Sequence, residues 1–117
     1  MRIHNIYADA AGESHIREID IEWTHAGPTG KTSDPVQVSS VSFRVTDGNY
    51  NLGWHNAPRR QYIVNLEGSV EITTSDGESR IIGPGGIILA EDTTGKGHLS
   101  KAVAGGARRS LVIPLAG

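Results

Sequence analysis

The chain has 117 residues, 37% of them hydrophobic and 21% charged, with a formal net charge of −2. That length suits one domain around a single core, and so mild a charge gives no electrostatic reason to expect nucleic acid or a membrane as partner. Cysteine is absent, which excludes disulfides and thiolate chemistry and suits a reducing, cytoplasmic setting.

Taken in chain order, the segment up to His15 carries no apolar run long enough for a signal peptide, and nothing later approaches a membrane span. From His15 to Trp23, Ile19, Ile21 and Trp23 alternate with Glu18, Asp20 and Glu22, which predicts a strand with one wet face. His25 to Pro35 has the glycine, proline and aspartate of a loop. Val41, Phe43 and Val45 then alternate with Ser42 and Arg44, and Asp47-Gly48 marks a turn. Gln61 to Leu66 and Val70 to Thr74 are strands joined at Glu67-Gly68. Asp76-Gly77 signals a hairpin, since short turns of the right twist need positive φ. Ile81-Ile82, the turn Gly83-Pro84-Gly85-Gly86, and Ile87 to Ala90 read as strand, turn, strand. Leu99 to Val103 and Ser110 to Leu115 read as a closing hairpin across Ala104 to Ala107. No window holds a helical period. Short strands at near-regular spacing with turns between them predict an all-β antiparallel sandwich or barrel, and no linker composition divides it.

Two glycine-bearing motifs sharpen this. In the first, His55, Ala57, Gln61 and Gly68 stand where a His-x-His…Glu…Gly pattern is expected. In the second, Pro84, Gly85, Gly95 and His98 match a Pro-Gly-Asp…Pro-x-Gly-x-x-His pattern, with Gly86 and Thr93 as departures. By these motifs the chain resembles the cupin superfamily, over about residues 41 to 113. The resemblance implies an antiparallel jelly-roll β-barrel, one domain over residues 1–117, with an N-terminal strand region at 1–24. It also implies a homodimer formed through such N-terminal strands. In metal-binding members three histidines and a glutamate or glutamine hold a divalent ion inside the barrel. Here that ligand set reduces to His55, Gln61 and His98, for one ion of nickel, zinc, iron or manganese.

Strand parity puts His55, Ala57, Gln61, Ile63 and Asn65 on one inward face, with His98 meeting His55 from a neighbouring strand. The two histidines admit two chemistries. As ligands with Gln61 they would hold a metal, although two imidazoles and a neutral amide leave a dication's charge uncompensated. As acid and base they would move protons on a small polar or anionic metabolite, in a dehydration or isomerisation. Idle, hydrogen-bonded histidines in a non-catalytic binding or sensor module are the bland alternative, and a metal-dependent oxygenase is another.

The same parity sends Arg59 inward as an anion clamp and Arg60 outward; a salt bridge from Arg59 to Glu91 or Asp92, or to a second subunit, is the rival reading. Tyr50 and Trp54 are expected at the pocket mouth. Asn65 is expected to bond a ligand or a neighbour. Asp92 is expected at the rim, orienting a histidine, meeting substrate or capping its own turn. Thr94-Gly95-Lys96-Gly97 lacks the spacing and the following helix of a phosphate loop.

Overall fold

The structure, a computed structural model, describes residues 1–117. Twelve strands and no helix make up the chain. They are β1 (Arg2–Ala8), β2 (Ser14–Asp20), β3 (His25–Gly27), β4 (Gly30–Thr32), β5 (Ser42–Thr46) and β6 (Asn51–His55). The rest are β7 (Gln61–Glu67), β8 (Val70–Thr74), β9 (Ser79–Ile82), β10 (Ile87–Ala90), β11 (His98–Ala102) and β12 (Arg108–Pro114).

Two facing sheets carry ten of these strands. The larger runs β2-β1-β10-β7-β12-β5 and the smaller β6-β11-β8-β9. This is the all-β jelly-roll arrangement of two sheets, antiparallel except where β1 lies parallel to β10. The inward face of each sheet is β-branched, so Ile6, Ile16, Val70, Ile72, Ile82 and Ile88 fill the space between them. Burying such side chains is what holds two sheets face to face.

Several sequence expectations change here. Leu99–Val103 and Ser110–Leu115 were expected to pair as a hairpin. Instead β11 pairs with β6 and β8, while β12 pairs with β7 and β5. The Glu67-Gly68 and Gly83–Gly86 turns likewise carry the chain from one sheet to the other. That crossing is how a jelly roll is wound, and local turn signals do not distinguish it from a hairpin. The Asp76-Gly77 hairpin does form, with Thr74 and Glu78 hydrogen-bonded across it and Gly77 at φ +91. The expected loop His25–Pro35 contains the small exposed hairpin β3–β4. Arg2–Ala8, within the expected N-terminal strand region, is an inner strand of the larger sheet with Ile3, Asn5 and Ile6 buried.

The largest inversion is at β5. Its apolar residues point away from the core: Phe43 is 86% exposed and Val45 68%. Arg44, between them, turns inward instead. β5 ends the larger sheet, and its inner face looks into a cavity rather than onto packed core.

Candidate functional site

That cavity lies between the sheets and has a volume of about 200 Å³. Its walls are apolar where Ile6, Ile63, Val70, Ile72, Ile88 and Ala90 reach it. Its polar lining comes from His55, His98, Gln61, Tyr50, Ser100, Arg44 and Arg108.

The two histidines meet directly. His55 ends β6 and His98 begins β11, and they are register partners in the smaller sheet, with ring centroids 4.4 Å apart. Their backbones are held close by a glycine. A Cβ on Gly97, which sits at φ +73, would lie 2.2 Å from the His55 carbonyl oxygen. The segment after His55 is latched as well: Ala57 N–H and the Asn56 side-chain amide both donate to the Asp92 carbonyl, and the Asn56 amide also to that of Gly95. A break in register between His98 and Ser100 adds a β-bulge at this end, a device that re-aims side chains.

Each ring commits one nitrogen. His55 Nδ1 lies 2.7 Å from the Gly53 carbonyl oxygen, which only accepts, so Nδ1 carries the proton. His98 Nδ1 lies 2.5 Å from a carboxylate oxygen of Asp92, which is fully buried. In both rings Nε2 is therefore the nitrogen left for a ligand, as acceptor in the neutral form. Asp92 stands behind His98 and not at the rim. It belongs to no cavity wall, so it meets His98 rather than a substrate.

Gln61 is 8% exposed, lines the cavity, and its amide has no protein partner. Tyr50 lines it too, with its hydroxyl 2.5 Å from Ser100 Oγ. The remaining expected residues lie elsewhere. Trp54 is 54% exposed and lines a shallow outer surface with Ser75 and Lys96. Asn65 shares the inward parity of Gln61 and Ile63 but sits beyond the cavity, under the Gly83–Gly86 turn. Its side chain donates to the Ile82 carbonyl, and its backbone bonds Gly85 and Gly86. Arg59 is exposed and outside the cavity lining, because β7 starts only at Gln61 and the Pro58 step ahead of it breaks the alternation. Arg60, not Arg59, forms the ion pair with Glu91, at 2.7 Å.

Reading residues in local runs missed the cavity's cationic end. Arg108 opens β12, is 5% exposed, and has no hydrogen bond or ion pair from its side chain to protein. Burial pushes its guanidinium below the ordinary arginine value, with the charge of Arg44 adding to the shift and Tyr50 opposing it. Arg44 donates to Ser110 Oγ at 3.3 Å. The pair converges only through the β5–β12 ladder, so its signal was the inward parity of Arg44 itself.

These donors do not fit a resident divalent metal. Ala57 puts a methyl group where the resemblance would want a histidine, no carboxylate lines the cavity, and two guanidiniums do. A dication there would meet two imidazoles, one neutral amide and uncompensated positive charge.

No family model matches the chain, and no curated protein does. Solved structures do. A conserved protein of unknown function from Streptococcus pyogenes is 25% identical, with 69% of this chain and 68% of that one aligned at a TM-score of 0.50. A Neisseria meningitidis protein is 16% identical over 71% and 84% of the two chains, at a TM-score of 0.51. These likenesses concern the fold. The chain has no helix long and apolar enough to cross a membrane.

Proposed function

We propose that the protein is a metal-independent acid–base enzyme of lyase or isomerase type, acting on a small polar or anionic metabolite held between its sheets. One observation carries this reading: two imidazoles 4.4 Å apart at a single cavity, each with Nδ1 engaged and Nε2 free. Rings that close serve neighbouring atoms of one substrate, which is what elimination and proton-shift reactions require.

The roles follow from the partners. His98 takes a proton at Nε2, and the buried Asp92 carboxylate holds the ring in the needed tautomer while stabilising the imidazolium that results. The His98 imidazolium then returns that proton to the departing or rearranging oxygen, while His55, whose Nδ1–H is held by the Gly53 carbonyl, accepts a hydrogen bond from the substrate at Nε2. The unpartnered Gln61 amide orients the substrate beside them. A binding module without catalysis would need no carboxylate behind one histidine.

The test is a screen of short hydroxy and oxo acids in deuterated water, following loss of substrate and C–H exchange by proton NMR. Wild type should exchange or convert at least one acid, and His55→Ala/His98→Ala should not. Equal rates in both proteins would end the catalytic reading.

A homodimer is proposed alongside. β2 and β5 end the larger sheet, and Phe43 and Val45 leave an apolar face beside β5 that a second copy would cover. Light scattering that shows a monomer across micromolar concentrations would remove this assembly.

A further inference from the structure

Four of the six arginines outside the cavity pair with carboxylates. Arg2 pairs with Glu18 and Asp20, Arg60 with Glu91, Arg80 with Glu78 and Arg109 with Glu67. The two arginines that reach the cavity do not. Arg108 is almost wholly buried with no partner for its guanidinium beyond the Tyr50 ring, whose centroid lies 5.7 Å away, and Arg44 has only the Ser110 hydroxyl. The cavity wall holds no aspartate or glutamate to answer them. An uncompensated buried charge disfavours folding, so its retention calls for a counter-ion that comes and goes.

We propose that Arg108 and Arg44 form the carboxylate subsite of this protein, and that its ligand is a small oxo or hydroxy monocarboxylate. The inference rests on the acid–base reading for where the other end of that ligand lies. Guanidinium forks match a carboxylate in geometry as well as charge. The walls between the two ends are aliphatic, which suits a short carbon chain better than a bare inorganic anion. Size agrees: a cavity of about 200 Å³ is small and suits a metabolite of a few carbons. Both ends belong to one cavity, whose lining includes Arg108 and Arg44 together with Tyr50, Ser100, His98 and His55.

The site also makes a distinctive trade. Arg108→Met removes a lone buried charge, so the ligand-free variant should melt a few degrees above wild type while losing the ligand. An arginine retained for structure would show the opposite.

Pyruvate is the probe, with pyruvamide as its uncharged analogue and inorganic phosphate as the alternative anion, followed by calorimetry and thermal melts. Pyruvate should bind wild type and raise its melting temperature, and pyruvamide should do neither. Arg108→Met should weaken pyruvate binding by roughly tenfold to a hundredfold, the range for a lost charge-assisted bond. Arg108→Lys, which keeps the charge and loses the fork, should fall between, and it decides the matter if the Met variant fails to fold. Failure of pyruvate to bind at millimolar concentration, equal binding by the Arg108 variants, or tighter binding of phosphate would each overturn the proposal. His55→Gln/His98→Gln should abolish turnover while weakening pyruvate binding less than Arg108→Met does. Intact pyruvate binding with no turnover of any acid would therefore sink the acid–base reading alone, and turnover with arginine-independent binding would sink the subsite alone.

Discussion

Replacing Gly97 by alanine tests whether the two histidines are held together by close backbone packing. The residue sits at φ +73, and an added Cβ would fall 2.2 Å from the oxygen and 2.5 Å from the carbon of the His55 carbonyl, and 3.0 Å from Asn56 N. Left-handed backbone costs an alanine about 1–2 kcal/mol. Relieving a clash with backbone on both strands adds about 1–3 kcal/mol, in the range for overpacked sites. The combined loss of about 2–5 kcal/mol is a large share of the about 5–15 kcal/mol that stabilises an ordinary domain. Gly77→Ala is the matched control, since Gly77 is at φ +91 with nothing within 4 Å of its Cβ position. It should lose only the backbone part. Urea unfolding, with a slope of about 1–3 kcal/mol per molar, reads both variants directly. The Gly97 midpoint should fall about 0.3–3 M below that of the Gly77 control. Indistinguishable midpoints would refute the claim that His55 and His98 are clamped by backbone contact.

Other expectations follow from neighbouring groups. Asp92→Asn keeps the shape behind His98 but removes the charge and permits the wrong tautomer, so turnover of an identified acid should drop about a hundredfold or more with pyruvate binding intact; unchanged turnover would strip Asp92 of its orienting role. His15, far from the cavity, is bonded through Nε2 to Asp9 at 2.7 Å and through Nδ1 to Asp76 at 2.9 Å. The Asp9 hydrogen bond, first, and then Asp76 raise its pKa above 6.5; the same bond depresses Asp9 below 3.8, and Asp76 is depressed first by the Thr74 hydroxyl and then, more weakly, by His15. A raised histidine stabilises the fold below its unfolded value and loses that contribution as pH climbs through the folded one. The depressed aspartates act above their unfolded value and lose theirs as pH falls through the folded one. Melting temperature should therefore decline as pH rises past 6.5, and His15→Gln should flatten that decline; an identical slope in the variant would disprove the link.

How much of this was legible beforehand depended on whether a signal was local. Val70–Thr74 and Ile87–Ala90 are read correctly to the residue because inward β-branched side chains and flanking glycines lie within one short window. His55 and His98 were legible from motif spacing, and the ladder between β6 and β11 brings them together. The β5 orientation was not, because an edge strand whose outer face is apolar and whose inner face meets a cavity inverts the usual pattern. Arg44 and Arg108 were missed for the same reason, as only the β12–β5 pairing unites them. Parity was right for Asn65 and still misleading, since burial on the inward face does not say where along the barrel the cavity ends. For Arg59 parity was carried back from Gln61 into residues 58–60, where the chain is bent and not extended strand.

The central claim is that two rings share one ligand, each offering Nε2. Long-range proton–nitrogen NMR of the histidine side chains tests it most directly, with spectra before and after pyruvate. His55 and His98 should both appear as Nδ1–H tautomers, and both should shift on addition while His4, His15 and His25 stay in place. An Nε2–H tautomer at either ring, or two resonances that ignore a ligand shown to bind, would contradict the account.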